Sequence, residues 1–404
     1  MLKQIQGGVC AAKGFTANGI HCGIRKNKTK RDLALIYSET LCAAAATYTK
    51  NLVKGAPLTV TKTNIQNGKA QAMICNSGNA NTCNANGIEI ATQTCELVAQ
   101  ELGICPTDVI VASTGVIGQP LDITPIANGI PALVKGLGNN SEYACEGIMT
   151  TDTAKKEIAF SFEAGGKTCR IGGIAKGSGM IHPNMATMLV FVTTDCNISA
   201  QMLQKALSAD IEESFNMVSV DGDTSTNDMV SVMANGMAGN QEIVADGEDF
   251  TAFCQALAAV TQYLCREIAK DGEGATKLLE CKVDGAKDKA TAKVVAKSVI
   301  CSSLVKAAMF GSDANWGRIL CAIGYSGADV DVNKVEVSFR SAKGEILVCK
   351  NGAGVEFSEE KAKEILLEKE IEMLVSLHDG AEKATAWGCD LTYDYVKING
   401  DYRT

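Results

Sequence analysis

Along the 404-residue chain, apolar positions recur at two periods, two residues in some segments and near 3.6 in others, and no unit repeats. DLALIYSE (32–39), AQAMICNSG (70–78) and VIVASTG (109–115) are apolar runs ending in small or polar residues, which predicts three strands. Between the last two, Ile88, Ile90, Cys95, Val98 and Leu102 fall at helical spacing and predict a helix over 87–102. KEIAFSFE and TCRIGGIA flank Ala164-Gly165-Gly166-Lys167, so 156–175 predicts a hairpin. MLVFVTTD (188–195) predicts a short buried strand, and 199–215 a helix opened by Ser199. A longer helix over 248–270 places Phe253, Leu257, Val260, Leu264 and Ile268 on one face. Ser358, followed by Glu359 and Glu360, opens a helix predicted over 358–378. The tail, LTYDYVKINGDYRT, predicts a strand and a polar end.

This mixture predicts an α/β fold of α+β layers, with sheets stacked between helices. From about 285 the order becomes helix, strands, helix, strand, which predicts a smaller C-terminal α+β domain over 285–404 after a main catalytic domain over 1–284. Composition narrows the function classes. With 46% apolar and 21% charged residues the chain is neither disordered nor collagen-like. A net charge of -8 and 5% aromatics argue against nucleic-acid binding. No run approaches the roughly 20 apolar residues of a membrane span, and MLKQIQGGVC has no apolar signal core, so a cytoplasmic location is expected. The 17 cysteines are then free packing thiols, with no C-x-x-C among them. His21, His182 and His378 form no paired-ligand arrangement, so no metal is expected.

Three local motifs come to little. Arg25 to Arg31 carries five cations in seven residues. With no interleaved aromatics it fits a solvated turn ahead of the strand at 32, phosphate or acidic lipid being the alternative ligands. Gly166-Lys167-Thr168 lacks the earlier glycine of a phosphate loop, since Ser161 stands there. Asp221-Gly222-Asp223 opens like a calcium loop, but Thr226 and Val232 occupy its glycine and glutamate positions.

The most chemically concentrated segment runs from Lys176 through Gly177, Ser178, Gly179, His182 and Ala186 to Thr187 and Leu189. By itself it is a glycine-rich turn leading into a strand. Its pattern K-G-S-G-M-I-x-P-N-M-A-T-M-L resembles the self-cleaving threonine segment of the ornithine acetyltransferase / glutamate N-acetyltransferase family of arginine biosynthesis. The resemblance spans the chain. It includes G-F-T-A-N-G-I (14–20), A-S-T-G-V-I-G (112–118), M-T-T-D-T (149–153), D-G-D-T-S-T-N-D (221–228), D-x-N-W-G-R (313–318) and the I-N-G-D-Y-R-T end.

The resemblance implies that Thr187 cuts the Ala186–Thr187 bond, giving chains 1–186 and 187–404. The new α-amine of Thr187 then serves as base to its own hydroxyl, which suits a chain poor in histidine. Residues 1–186 hold 17 Lys/Arg against 12 Asp/Glu, a balance of +5, and residues 187–404 hold 21 against 34, a balance of -13. Two fragments of opposite charge would attract, and the resemblance implies a heterotetramer of two of each. It further implies acetyl transfer from N-acetylornithine to glutamate through an acetyl-threonine ester, with Thr114 and Gly115 stabilising the oxyanion. Thr153, Lys176, Thr187, Glu273, Asn399 and Thr404 would contact substrate. Lys176 suits a carboxylate and Glu273 an ammonium group. No cofactor is implied, and acetyl-CoA as a co-substrate is left open. A self-processing amidase or aminopeptidase would share the nucleophile, and an uncleaved binding protein is the third reading.

Overall fold

A computed structural model describes residues 2–182 and 188–400. The first sheet contains β1 (Lys3–Ile5), β2 (Phe15–Ile20), β3 (Leu33–Tyr48), β4 (Lys69–Asn79), β5 (Val109–Val116), β6 (Lys156–Ala164), β7 (Lys167–Lys176), β8 (Leu189–Thr194) and β10 (Met229–Ala234). Its order is β1-β6-β7-β8-β10-β3-β4-β5, with β2 paired to β3. The second sheet contains β9 (Val218–Ser219), β11 (Leu278–Ala286), β12 (Glu336–Ser341), β13 (Gly344–Lys350), β14 (Ala353–Gly354), β15 (Glu370–Ser376) and β16 (Glu382–Cys389), in the order β14-β13-β12-β15-β11-β16-β9. The helices are α1 (Ala56–Asn64), α2 (Gly87–Leu102), α3 (Ile123–Lys135), α4 (Ser141–Ile148), α5 (Ala200–Glu213), α6 (Glu248–Lys270), α7 (Lys289–Cys301), α8 (Ser303–Phe310), α9 (Trp316–Gly324), α10 (Glu359–Leu366) and α11 (Tyr393–Gly400).

The layering follows from side-chain alternation. Along β8, Val190 and Val192 enter the core shared with α5 and α6, while Leu189 and Phe191 enter a second core on the opposite face. A strand buried on both faces reads as an unbroken apolar run, which is why MLVFVTTD shows no period-two pattern. Ser199 caps α5 by accepting from the Met202 amide. The apolar stripe of α6 packs on β6 and β7 of the first sheet and on β11 and β16 of the second, so this helix joins the two. A third core lies under α1, α2 and α3 against β3, β4 and β5.

The strands expected at 32–39, 70–78 and 109–115, the hairpin at 156–175 and the helices at 87–102 and 248–270 all form. β3 runs on to Tyr48 past an irregularity between Tyr37 and Cys42. Its alanine-rich second half favours helix intrinsically, but Ala43 to Tyr48 pair with β10, and the sheet prevails. Two expectations fail. The helix predicted over 358–378 stops at Leu366, and Glu370–Ser376 is instead β15, with Ile371, Met373 and Val375 buried at every second position between β11 and β12. Local charge favoured helix, but a two-sided strand slot outweighed it. The strand expected in the tail is the helix α11, tied down where Thr392 donates to the Gly274 carbonyl at 2.7 Å. The second sheet also takes in β11, most of which precedes residue 285.

Candidate active site

A cleft of about 300 Å³ opens at the ends of β5 and β7. Thr114, Gly115, Lys176, Glu273 and Asn399, five of the residues singled out by sequence, line it together. Thr153 does not. It is exposed in a neighbouring depression lined by Lys270, Asp271 and Lys397, and its hydroxyl and amide donate to Asp271. Ala186, Thr187 and Thr404 lie outside the described residues. In sequence, Thr187 stands two residues before Leu189, which pairs with Lys176 across β7 and β8.

The oxyanion candidates are placed by a strand-end irregularity. β5 pairs in parallel with β4 until Gly78 faces Gly115, and there the register shifts at Asn79. Gly115 has φ +130, and a Cβ on it would overlap the Gly78 carbonyl carbon, so only glycine fits this approach. Asn227 secures the turn from behind. Its amide donates to the carbonyls of Ala80 at 2.5 Å and Ser113 at 2.9 Å, while its oxygen accepts from Thr82 and Thr226, each at 2.6 Å.

Glu273 is held on the opposite wall. Its amide donates to the Ser178 carbonyl at 2.8 Å, and its carboxylate accepts from Asn399 of α11 at 2.8 Å. A Cβ on Gly179 would collide with that carboxylate, so the glycine run of the Lys176–Gly179 segment makes room for Glu273. Asp221 stabilises the next turn of the same segment, accepting the amides of Met180 at 2.6 Å and Ile181 at 2.8 Å.

Beneath the cleft lies a buried ionic cluster. The Lys156 ammonium donates to Asp152 at 2.7 Å and also to Asp271. Asp152 accepts the Gly177 amide at 2.7 Å, and Asp271 precedes Gly272 and Glu273. One lysine thus links the segments that carry Lys176 and Glu273. Burial alone would raise the Asp152 carboxyl, but Lys156, then Lys176 and the Gly177 amide, hold it well below the usual carboxylate range. Asp228 lies nearby with no such partner. Burial raises its carboxyl well above the ordinary value against the Ser225 hydroxyl and Lys176, and its Oδ2 makes no hydrogen bond among the described residues.

His182 faces away from catalysis. Its Nδ1 lies 3.1 Å from the Ser219 hydroxyl and 3.5 Å from the Cys301 thiol. Burial first, then the nearby Lys297 charge, lower its pKa to about 4, so the ring is neutral at physiological pH. All 17 cysteines are free thiols. Among the described residues no group of three His, Cys, Asp or Glu could hold a metal ion, and no helix is long and apolar enough to cross a membrane.

Sequence reasoning found the cleft residues through the family resemblance but gave no role to Asn227, Asp221, Asp152, Lys156 or Asp271. Three of these stand in segments already noticed, D-G-D-T-S-T-N-D and M-T-T-D-T. Their signal was a density of small polar residues in loops flanked by apolar strands.

Comparison with known proteins shows which family the chain resembles. The ArgJ family model matches residues 16–404. Two proteins named arginine biosynthesis bifunctional protein ArgJ, from Caldanaerobacter subterraneus subsp. tengcongensis and Symbiobacterium thermophilum, are 51% and 50% identical over 405 and 406 residues, covering 100% of both chains in each case. A crystal structure of arginine biosynthesis bifunctional protein argJ from Bacillus halodurans matches with a TM-score of 0.50 and 49% identity, over 52% of this chain and 98% of that one. With matches of this identity along its full length, the chain belongs to the ArgJ family.

Proposed function

We propose that the protein is an acetyltransferase of arginine biosynthesis with an N-terminal threonine nucleophile. It moves acetyl from N2-acetyl-L-ornithine to L-glutamate and accepts acetyl-CoA as a second donor. The observation that carries this reading is the convergence of Thr114, Gly115, Lys176, Glu273 and Asn399 on one cleft, beside the strand that Thr187 precedes. The Thr187 hydroxyl attacks the acetyl carbonyl, and its proton passes through the Thr187 α-amine to the leaving ornithine nitrogen. Donors at Thr114 and Gly115 meet the oxyanion. Lys176 pairs with a substrate carboxylate, and Glu273, oriented by Asn399, with the side-chain ammonium. The glutamate amine then attacks the acetyl-threonine ester and restores the hydroxyl. Thr404 completes the substrate contacts, and Thr153, bonded to Asp271 in the neighbouring depression, falls outside this set.

Self-cleavage after Ala186 is compatible with the sheet. β7 precedes the cut and β8 follows it, yet they pair over six registers, as do β10 and β3. Fragments sharing a continuous sheet stay associated, and the +5 and -13 balances reinforce them. The Bacillus halodurans chain, matching 52% of this one along 98% of its own length, has the size of one such fragment. A cytoplasmic heterotetramer of two α and two β chains, and the division of the chain at 285, belong to the same proposal.

Intact mass of the purified protein should show two fragments meeting at Ala186/Thr187, and Thr187→Ala should leave one full-length, inactive chain. Cleavage or transfer by that variant would refute the nucleophile. With N-acetylornithine, acetyl transfer should require glutamate. Rapid release of free acetate without glutamate would favour the amidase instead.

A further inference from the structure

The five-cation turn starts at Arg25, which packs close to this cleft. The Arg25 side chain packs on Gly78, whose Cβ position stands 2.8 Å from Arg25 Cγ, and Gly78 faces Gly115 across β4 and β5. The Arg25 guanidinium donates to the carbonyl of Met149, next to Thr150 of the cleft wall. Arg31 is engaged structurally, paired with Glu146 at 2.9 Å and lying 3.9 Å over the Tyr143 ring. Lys26, Lys28 and Lys30 are different. All three are exposed and none forms an ion pair with another described residue. At no more than about 3.4 Å per residue, each stays within roughly 17 Å of Arg25.

Three uncompensated cations within chain reach of a cleft wall, in a protein of net charge -8, mark a site for a polyanion. N-acetylornithine carries one carboxylate and one ammonium and gains little there. The turn exposes no large apolar side chain that could insert into a lipid surface. The cleft itself presents Ile117 and Met180, 38% and 44% exposed. The cleft and its surroundings thus offer oxyanion donors, apolar side chains and positive charge. That set matches an acyl carbonyl, an uncharged arm and a phosphorylated end.

We infer that Lys26, Lys28 and Lys30 bind the phosphates of a coenzyme A thioester whose acyl carbonyl reaches Thr114 and Gly115. The inference rests on the transferase reading and locates its second donor. In the step concerned, the Thr187 oxygen bonds to the acyl carbon and the C–S bond breaks. The thiolate leaves with the electron pair and takes up the hydroxyl proton through the α-amine. Glutamate then removes the acyl group as before.

The test uses processed enzyme and the triple charge reversal K26E/K28E/K30E, with K50E/K54E as control. Lys50 and Lys54 are also exposed, beside Asn51, which bonds the Thr224 and Ser225 carbonyls. The triple variant should raise KM for acetyl-CoA about ten-fold or more with kcat held, and should lose most of its salt dependence. KM for N-acetylornithine, for glutamate and for the phosphate-free thioester S-acetyl-N-acetylcysteamine should stay within two-fold, and the control variant should behave as wild type. An unchanged acetyl-CoA KM, an equal rise for all donors, or the effect appearing in K50E/K54E would overturn the assignment. So would inorganic phosphate alone competing as well as coenzyme A, or sedimentation with anionic vesicles that the triple variant abolishes. Wild-type enzyme that uses N-acetylornithine but not acetyl-CoA would sink this inference alone; use of neither donor would sink the transferase reading.

Discussion

Two groups of charged side chains, built from the same residue types, do different work here. Under the cleft, Lys156 pairs with Asp152 and Asp271, whose side chains are 0%, 0% and 7% exposed. Beside the second sheet, Arg266, Lys270, Lys282 and Arg340 pair with Glu280, Glu370, Glu372 and Glu345, most of them between a quarter and a half exposed. Water screens the second group, so each pair contributes little. The first group is desolvated, and each charge depends on its partners. A buried pair cannot shift without leaving a charge bare, so it serves as a positional anchor, here for Gly177 and for the turn carrying Glu273.

Lys156→Met tests that difference most directly. It leaves two buried carboxylates without their cation and should destabilise the protein by about 3–5 kcal/mol in urea unfolding. A loss below about 1 kcal/mol would erase the contrast between the two groups. Gly115→Ala probes the neighbouring cleft wall through activity. Strain at φ +130 and overlap with Gly78 should displace the oxyanion donors and lower kcat by about 10²–10³, the cost of losing one such donor. A kcat within three-fold of wild type would remove Gly115 from that role.

His182 gives a smaller, pH-dependent effect. Its folded pKa of about 4 lies below the ordinary 6.5, so the fold favours the neutral ring. That contribution is complete above pH 6.5 and is lost as pH falls through 4. His182→Gln should therefore narrow its stability gap to wild type across this window, by on the order of 1 kcal/mol since the group is partly screened. A gap that widens on acidification contradicts the assignment. Arg340→Ala, which removes contacts to Glu345 and Glu372, should cost less than about 1 kcal/mol and leave kcat and KM unchanged. A loss like that of Lys156→Met would show that the surface network is no weaker than the buried one.

Legibility in the sequence followed the range of the forces involved. Capped or strongly amphipathic segments such as α5 and α6 formed where Ser199 and the Phe253–Ile268 stripe placed them. The errors fell where partners distant in sequence decide. Glu370–Ser376 has a helix-compatible composition, but its slot between β11 and β12 makes it a strand. The tail became a helix because Thr392 anchors it on Gly274. At the site, the family resemblance pointed to Lys176 and Glu273, but nothing local revealed that Lys156 joins their segments.

By itself, the sequence determined the family resemblance and, through it, the nucleophile expected at Thr187, together with the glycines at 115 and 179 and the turn with its five cations. These are properties of residue identity and short spacing, where backbone freedom, charge and a hydroxyl beside its own amide suffice. Only the tertiary structure decided that Thr114, Lys176, Glu273 and Asn399 share one cleft, that Thr153 stands outside it and that Arg25 packs close to it. Those facts depend on strand register and on burial of charge, which join residues more than a hundred positions apart and are set only when the two sheets close on α6.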